Sequence, residues 1–301
     1  MTEPPVAVAL FAYNRPEHLS RCLQDLQAMP EAGKSHLRIF VDGPRSTDSR
    51  DNHEAVVAVA KGAEGFASAQ VEVAETNRGL ATSVITGVRR TLDEFGQVVV
   101  VEDDLRLSRH FLAYMRSGLN MYREAPQVYS IHGYSYPVDT ELPETFFLRG
   151  ADCWGWATWS RAWHRFQPDA AVLVRQLETG GLERPFDLDG SYPFMKMLRD
   201  NSSGQNDSWA IRWHASAFLD GALTLYPGKS LVWNSGLDGS GTHSGDLDLH
   251  EKRVSDLPID VRAIPLEESA AARRAFGQYL KSLERRRLRK RLASLVGRGR
   301  A

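Results

Sequence analysis

The chain has 301 residues, 42% of them hydrophobic and 25% charged, a composition that fits one large globular domain or two modest ones. No apolar stretch approaches the length of a membrane span, and two cysteines without metal-type spacing, Cys22 and Cys153, argue against a disulfide framework. The formal net charge of −1 hides an asymmetry: from Arg273 onward there are eleven Lys/Arg and a single acid, Glu284, so a basic tail follows an acidic body.

Met1 to Pro5 lacks the basic segment and apolar run of a secretory signal, and with the cysteine usage this gives the expectation of a cytoplasmic protein. Val6 to Ala12 is a near-continuous apolar run, as expected of a strand covered on both faces. Pro16 to Gln27 then reads as a helix, with Leu19, Leu23 and Leu26 on one side and Pro16 in its first turn. Leu37 to Val41 is a strand ending in the turn Asp42-Gly43-Pro44, and Asp51 to Lys61 a helix. Gln70 to Ala74 is a third strand, followed by Asn77-Arg78-Gly79 and a helix from Leu80 to Phe95. Val98 to Val101 is a fourth strand, and it runs directly into Glu102-Asp103-Asp104. Such alternation gives an α/β fold with a mostly parallel sheet and right-handed crossovers.

From Pro126 the texture changes. Tyr and Trp become dense between Tyr129 and Trp163, and Leu223 to Asn234 resembles two short strands around Pro227-Gly228. The expected organisation is a nucleotide half (1–150), an acceptor half (151–265) and a basic helical tail (266–301). In that tail Phe276, Leu280, Leu283, Leu288, Leu292 and Leu295 recur at roughly helical spacing. A helix with Leu on one side and Arg on the other fits either an anionic leaflet or a solvated cap on the body.

Ala12-Tyr13-Asn14-Arg15-Pro16 after the first strand is no glycine fingerprint, which argues against a dinucleotide site. Neither a Gly-Lys-Ser/Thr loop nor a Gly-x-Ser-x-Gly elbow is present. What remains is a sheet whose strand ends carry Asn14 and Arg15, Asp42, Asn77 and Arg78, and the acidic triplet. Three adjacent carboxylates repel one another and need a cation to relieve them. Mg²⁺ or Mn²⁺, which prefer oxygen ligands and bridge to phosphates, suits them. Arg15 and Arg78 suit phosphates, and Asp42 a base or ribose.

The run Leu10-Phe11-Ala12-Tyr13-Asn14-Arg15-Pro16, then Val41-Asp42-Gly43, Asn77-Arg78-Gly79-Leu80 and Val101-Glu102-Asp103-Asp104, resembles a glycosyltransferase of the GT-A fold. It is similar to the family 2 glycosyltransferases, and more closely to relatives of N-acetylglucosaminyltransferase I. Cys153-Trp154-Gly155-Trp156-Ala157-Thr158-Trp159, Ser208-Trp209-Ala210-Ile211-Arg212-Trp213 and Asp238-Gly239-Ser240-Gly241-Thr242-His243 look like a bacterial branch of that group. The resemblance runs from Val6 to Ser244.

It implies a Rossmann-like sheet flanked by helices and a metal-dependent, inverting transfer of a hexose or N-acetylhexosamine. The donor is a nucleotide-diphosphate sugar, UDP-linked by default. The acceptor is a saccharide or glycolipid, as in surface polysaccharide synthesis, and the tail is a possible peripheral anchor at the inner membrane face. Asp104 inherits the metal-touching role, with His243 as a further ligand or else an ordinary surface His. Glu102, Asp103, Tyr13, Asn14, Arg15, Asp42, Asn77 and Arg78 inherit nucleotide-sugar contacts. Asp207 inherits the general base, where an isolated Asp before a helix would serve as an N-cap, and Asp187 and Asp189 are alternative acids. Trp154 and Trp156 suit the stacking of sugar faces, whereas Trp159 and Trp163, four apart, suit a helical core. No nucleic-acid partner is implied. The rival readings are a carbohydrate-binding or scaffold protein on such a fold, and a sugar nucleotidyltransferase.

Overall fold

The apolar runs Val6 to Ala12 and Val98 to Val101 form strands buried on both faces, and this buries their Val and Leu side chains at about 1.5–3 kcal/mol each relative to exposure. The computed structural model describes residues 6–45, 50–238 and 254–298, with 237–238 and 287–298 as backbone only. Strands β1 (Val6–Ala12), β2 (Ser35–Val41), β3 (Ser68–Val73) and β4 (Gln97–Glu102) are parallel neighbours in the order β3-β2-β1-β4. They are joined by α1 (Pro16–Gln27), α2 (Arg50–Lys61) and α3 (Leu80–Phe95).

Alternation along β1 and β4 feeds two cores. Val8, Leu10, Val99 and Val101 pack with Leu19, Leu23 and Val56 on the face that carries α1 and α2. Ala9, Phe11, Val98 and Val100 pack with Val84 and Val88 of α3 on the other face. The chain therefore winds outward from β1 to β3 over one face and returns to β4 over the opposite one. The strand order reverses between β1 and β4, and in open α/β sheets the carboxyl ends of such a pair flank the ligand crevice.

After β4 comes the Asp103–Asp104 turn and a short β5 (Leu105–Leu107), then α4 (Phe111–Met121), β6 (Val128–His132), β7 (Thr145–Arg149) and β8 (Trp156–Trp159). Four helices follow the short α5 (Ser160–Trp163): α6 (Ala170–Thr179), α7 (Glu183–Phe186), α8 (Phe194–Ser202) and α9 (Trp209–Leu219). Strands β9 (Leu223–Pro227) and β10 (Val232–Asn234) come next, and α10 (Ala270–Arg298) comes last. The main sheet is eight-stranded, β3-β2-β1-β4-β8-β6-β9-β7, with β8 and β7 running against the other six. The result is an α/β fold with a mostly parallel, Rossmann-like sheet flanked by helices.

Several expectations change here. The two strands read in Leu223 to Asn234 exist but do not pair: β9 joins the main sheet, while β10 pairs with β5. Trp159 ends a strand and Trp163 ends a single-turn helix, although both are buried as core. In α10, Ala272 and Phe276 pack on Phe146, Leu148 and Tyr226, and Leu280 and Leu283 are buried too. The first half of the leucine stripe is thus covered by the body and is not presented to a leaflet. Among the described residues no helix is long and apolar enough to cross a membrane.

Candidate functional site

The register of β1 on β4 sets the centre of the site. Phe11 lies opposite Glu102, and the Phe11 carbonyl accepts the Asp103 N–H at 2.9 Å. Residues just beyond the two strands are therefore side by side. Arg15 sits at the N-cap position of α1 in a non-helical backbone conformation, before Pro16 starts the helix. Its Nη2 donates to Asp103 Oδ1 at 2.5 Å and to Asp104 Oδ2 at 3.0 Å. The cation that relieves the acidic triplet is thus a residue of the chain. The parallel pairing of β1 with β4 sets Arg15 against the two acids through Nη2 alone.

Burial, then repulsion from Asp104 and Asp103, pushes the Glu102 carboxyl up to about 8 despite Arg15. Burial pushes Asp103 up to about 7, with Arg15 acting against it and Asp104 with it. Asp104 Oδ1 is buried and has no hydrogen-bond partner among the described residues. An orphaned carboxylate oxygen costs free energy unless a donor or cation meets it. This oxygen fits a hard divalent ion, with Glu102 and Asp103 as its acidic surroundings. Among the described residues no three His, Cys, Asp or Glu converge into a ready-made metal cluster. His243 lies outside the described residues.

A 3₁₀ turn at Ser235–Asp238 closes over this tip. The N–H and Oγ of Ser235 both donate to the Asp104 carbonyl, at 2.8 and 2.7 Å. Gly236 lies so close that a Cβ there would stand 2.4 Å from Asp104 Oδ2 and 2.8 Å from Arg15 Nη1.

Asp42, at the end of β2, has a different task from the one expected. Its Oδ1 accepts from the backbone N–H of Gly43 (2.9 Å) and Arg78 (2.8 Å). Its Oδ2 accepts from the Gly79 N–H (2.9 Å) and from Asn77 Nδ2 (3.0 Å). A carboxylate offers about four lone-pair sites, so this one is saturated by the protein and has none left for a base. Asp42 clamps the Asn77-Arg78-Gly79 loop at the head of α3. Asn77 serves the same clamp, donating also to the Gly43 carbonyl at 2.9 Å. The Arg78 side chain is exposed at this edge and pairs with nothing among the described residues. The Tyr13 hydroxyl accepts the Arg45 N–H at 3.0 Å, and the Tyr13 N–H approaches Asp103 Oδ2 at 3.4 Å. Asn14 is half-buried between Tyr13 and Arg15.

Asp207 stands just before α9, and Ser208 is the N-cap, accepting the Ile211 N–H at 3.3 Å. The capping role is therefore taken by its neighbour, and the Asp207 side chain is 72% exposed. Arg212 Nη2 donates to Asp207 Oδ1 at 3.2 Å. The same guanidinium, itself 12% exposed, donates to the carbonyls of Ser208 and Pro168 at 3.2 Å each. Oδ2 faces the clamped loop: a Cβ placed on Gly79 would lie 3.9 Å from it. A cavity of about 540 Å³ opens here, lined by Pro168, Asp169, Asn201, Asn206, Asp207 and Arg212 among others. The alternative acids are engaged structurally, Asp187 by the Met195 N–H at 2.6 Å and Asp189 by Arg273 at 3.3 Å.

Trp156 is a correction. It is 0% exposed and packs among Trp163, Trp209 and Trp213, with ring centroids 5.5–6.0 Å apart, so it lines no pocket. Strand β8 is buried along its whole length, which fixes this indole in the core. Trp154, in the loop before β8, is half-buried, and its ring lies 4.9 Å from Tyr134. That loop neighbours the acidic tip: burial first, then Asp152, Glu102 and Asp104, push the adjacent Cys153 thiol well up. Sequence reasoning passed over Arg212 and the Ser235–Gly236 turn. Arg212 lies five residues after Asp207, a spacing that marks no helical side-chain pair, and the turn has no sequence signal either.

No family model matches the chain, and no curated protein matches it. Among solved structures it is similar to the mannosyltransferase PcManGT from Pyrobaculum calidifontis, in complex with GDP-Man and Mn²⁺. The identity is 14% and the TM-score 0.40, over 73% of this chain and 70% of that one. It is also similar to S. aureus TarS, with 11% identity and a TM-score of 0.42, over 77% of this chain but 36% of that one.

Proposed function

We propose that the chain is a GT-A-type glycosyltransferase that moves a hexose or N-acetylhexosamine from a nucleotide-diphosphate donor, by default UDP-linked, to a saccharide or glycolipid hydroxyl with inversion. One observation carries the reading: at the strand-order reversal, a buried acidic tip with an orphaned Asp104 oxygen shares the ligand edge with a carboxylate, Asp207, whose free oxygen faces the clamped loop.

In this reading Arg78 faces the diphosphate and Trp154 lines the sugar pocket. Asp104, through Oδ1, with Glu102 and Asp103 around it, would hold Mn²⁺ or Mg²⁺. Neutralisation of the departing diphosphate is the chemistry such an ion supplies. Asp207 takes the acceptor proton at Oδ2 as the acceptor oxygen attacks the anomeric carbon and the bond to the diphosphate breaks. Arg212 fixes Oδ1, so that one oxygen alone is presented. The cavity beside Asp207 receives the acceptor. Its polar lining suits a hydroxyl-rich saccharide.

The test is donor turnover across several nucleotide sugars with Mn²⁺, in wild type, Asp104→Ala and Asp207→Asn. Asp104→Ala should abolish turnover with the melting transition retained. Asp207→Asn should keep donor binding while transfer falls by orders of magnitude. Full transfer by Asp207→Asn refutes the assigned base, and full turnover by Asp104→Ala refutes the metal role.

A further inference from the structure

Arg15 is held to the acidic tip by a single nitrogen. Nη2 makes both carboxylate bonds, to Asp103 at 2.5 Å and to Asp104 at 3.0 Å. Nε and Nη1 make no hydrogen bond among the described residues, so the guanidinium has donors to spare. Its side chain is one-fifth exposed, so a ligand in the crevice can reach it. A planar fork with an unused edge is suited to one thing above all, an oxyanion such as a phosphate. At the same time the nitrogen occupies Asp103 Oδ1 and Asp104 Oδ2, and so sets a positive charge beside the Asp104 Oδ1 that would hold a divalent ion. An arginine and a divalent cation beside the same carboxylates repel each other strongly where water is scarce.

We propose that Arg15 is a resident counter-ion that keeps the tip closed to a free divalent cation until a nucleoside diphosphate draws the guanidinium away. The proposal rests on the donor-site reading above and adds to it an order of events. Alone, the ion competes with Arg15 for Asp103 and Asp104. With a diphosphate present, Arg15 turns its fork to the phosphate oxygens and the carboxylates are released. Ion and nucleotide thus enter as a coupled pair, and by linkage each strengthens the other by the same factor. The Ser235–Gly236 turn, packed on both members of the ion pair, is positioned to register the exchange.

The test is Mn²⁺ titration of the full chain by electron paramagnetic resonance, alone and with UDP or GDP, for wild type, Arg15→Gln and Arg15→Lys. Wild type should bind Mn²⁺ weakly alone and more tightly with nucleotide. Arg15→Gln should bind Mn²⁺ alone about tenfold or more tighter than wild type, and the enhancement by nucleotide should shrink by a similar factor. Arg15→Lys, which keeps the charge but not the fork, should fall between the two. If Arg15→Gln melts cooperatively and binds Mn²⁺ no tighter than wild type, the proposal is wrong. If that variant shows no cooperative melting, Arg15→Lys decides by the same comparison with wild type. An absence of Mn²⁺ binding in every protein, even with nucleotide, overturns the donor-site reading together with this proposal.

Discussion

The clamp at Asp42 can be broken by a single atom. Asp42→Asn replaces one carboxylate oxygen with an NH₂ group, in a site where two backbone donors and one side-chain amide already point inward beside the residue's own turn. Placed toward Gly79, that NH₂ opposes the Gly79 N–H and leaves it unpaired, at about 1–3 kcal/mol. The bonds from Gly43 and Arg78 survive but lose their charge assistance, at roughly 1 kcal/mol each. Asn77 can turn its amide over to keep its bond to residue 42, but its bond to the Gly43 carbonyl is then lost, at roughly 1 kcal/mol. The sum is about 4–6 kcal/mol, a large part of the roughly 5–15 kcal/mol that holds a typical domain. Urea denaturation followed by tryptophan fluorescence should show a lower midpoint with an unchanged slope. A loss under about 0.5 kcal/mol would refute the clamp, and would mean that the carboxylate is kept for a ligand.

Three further outcomes are expected. Gly236→Ala forces a methyl group to 2.4 Å from Asp104 Oδ2, so it should lower stability by about 1–3 kcal/mol; an unshifted melting temperature would contradict the tight closure of the turn. Trp156→Ala empties the middle of a tryptophan cluster and should cost about 3–5 kcal/mol, measured by the same denaturation; a cost below about 1 kcal/mol would mean that the indole lines open space. His132 is fully buried, and burial pulls its pKa below the ordinary value, so the folded state holds it neutral while the unfolded chain takes up a proton near pH 6.5. Its contribution is therefore present above that pH and lost as the pH falls, so any stability advantage of wild type over His132→Gln should shrink between pH 7.5 and pH 5. A constant difference would contradict the assignment.

The first half of the chain was legible because parallel strands covered on both faces read as unbroken apolar runs. Val6–Ala12 and the four valines of β4 need no context to be recognised. The second half was not. Its strands are short and are assembled from distant segments: β9 lies between β6 and β7, and β10 reaches back to β5. No local pattern encodes that pairing. At the site, residue types were readable and partners were not. The acidic triplet announced a need for positive charge, but that Arg15 supplies it follows only from β1 and β4 being neighbours. Asp42 alone reads more readily as a turn residue than as a ligand contact, and its four donors lie on a loop that the sequence does not place beside it. The two candidate tryptophans differ by two positions, yet Trp154 precedes β8 and Trp156 lies in it, so strand boundaries decided their fates. The apolar positions at the start of the tail read as amphipathic, which fits a membrane or a sheet alike, and the packing of Ala272 and Phe276 on Phe146 and Tyr226 settles the first turns in favour of the sheet.

The central claim is that the tip of β4 receives a divalent ion together with a nucleoside diphosphate. A crystal soaked with Mn²⁺ and UDP or GDP, with anomalous data collected for manganese, addresses it directly. The account predicts an anomalous peak within coordinating distance of Asp104 Oδ1, next to the diphosphate. A nucleotide bound elsewhere, or a manganese peak remote from Glu102-Asp103-Asp104, would contradict it.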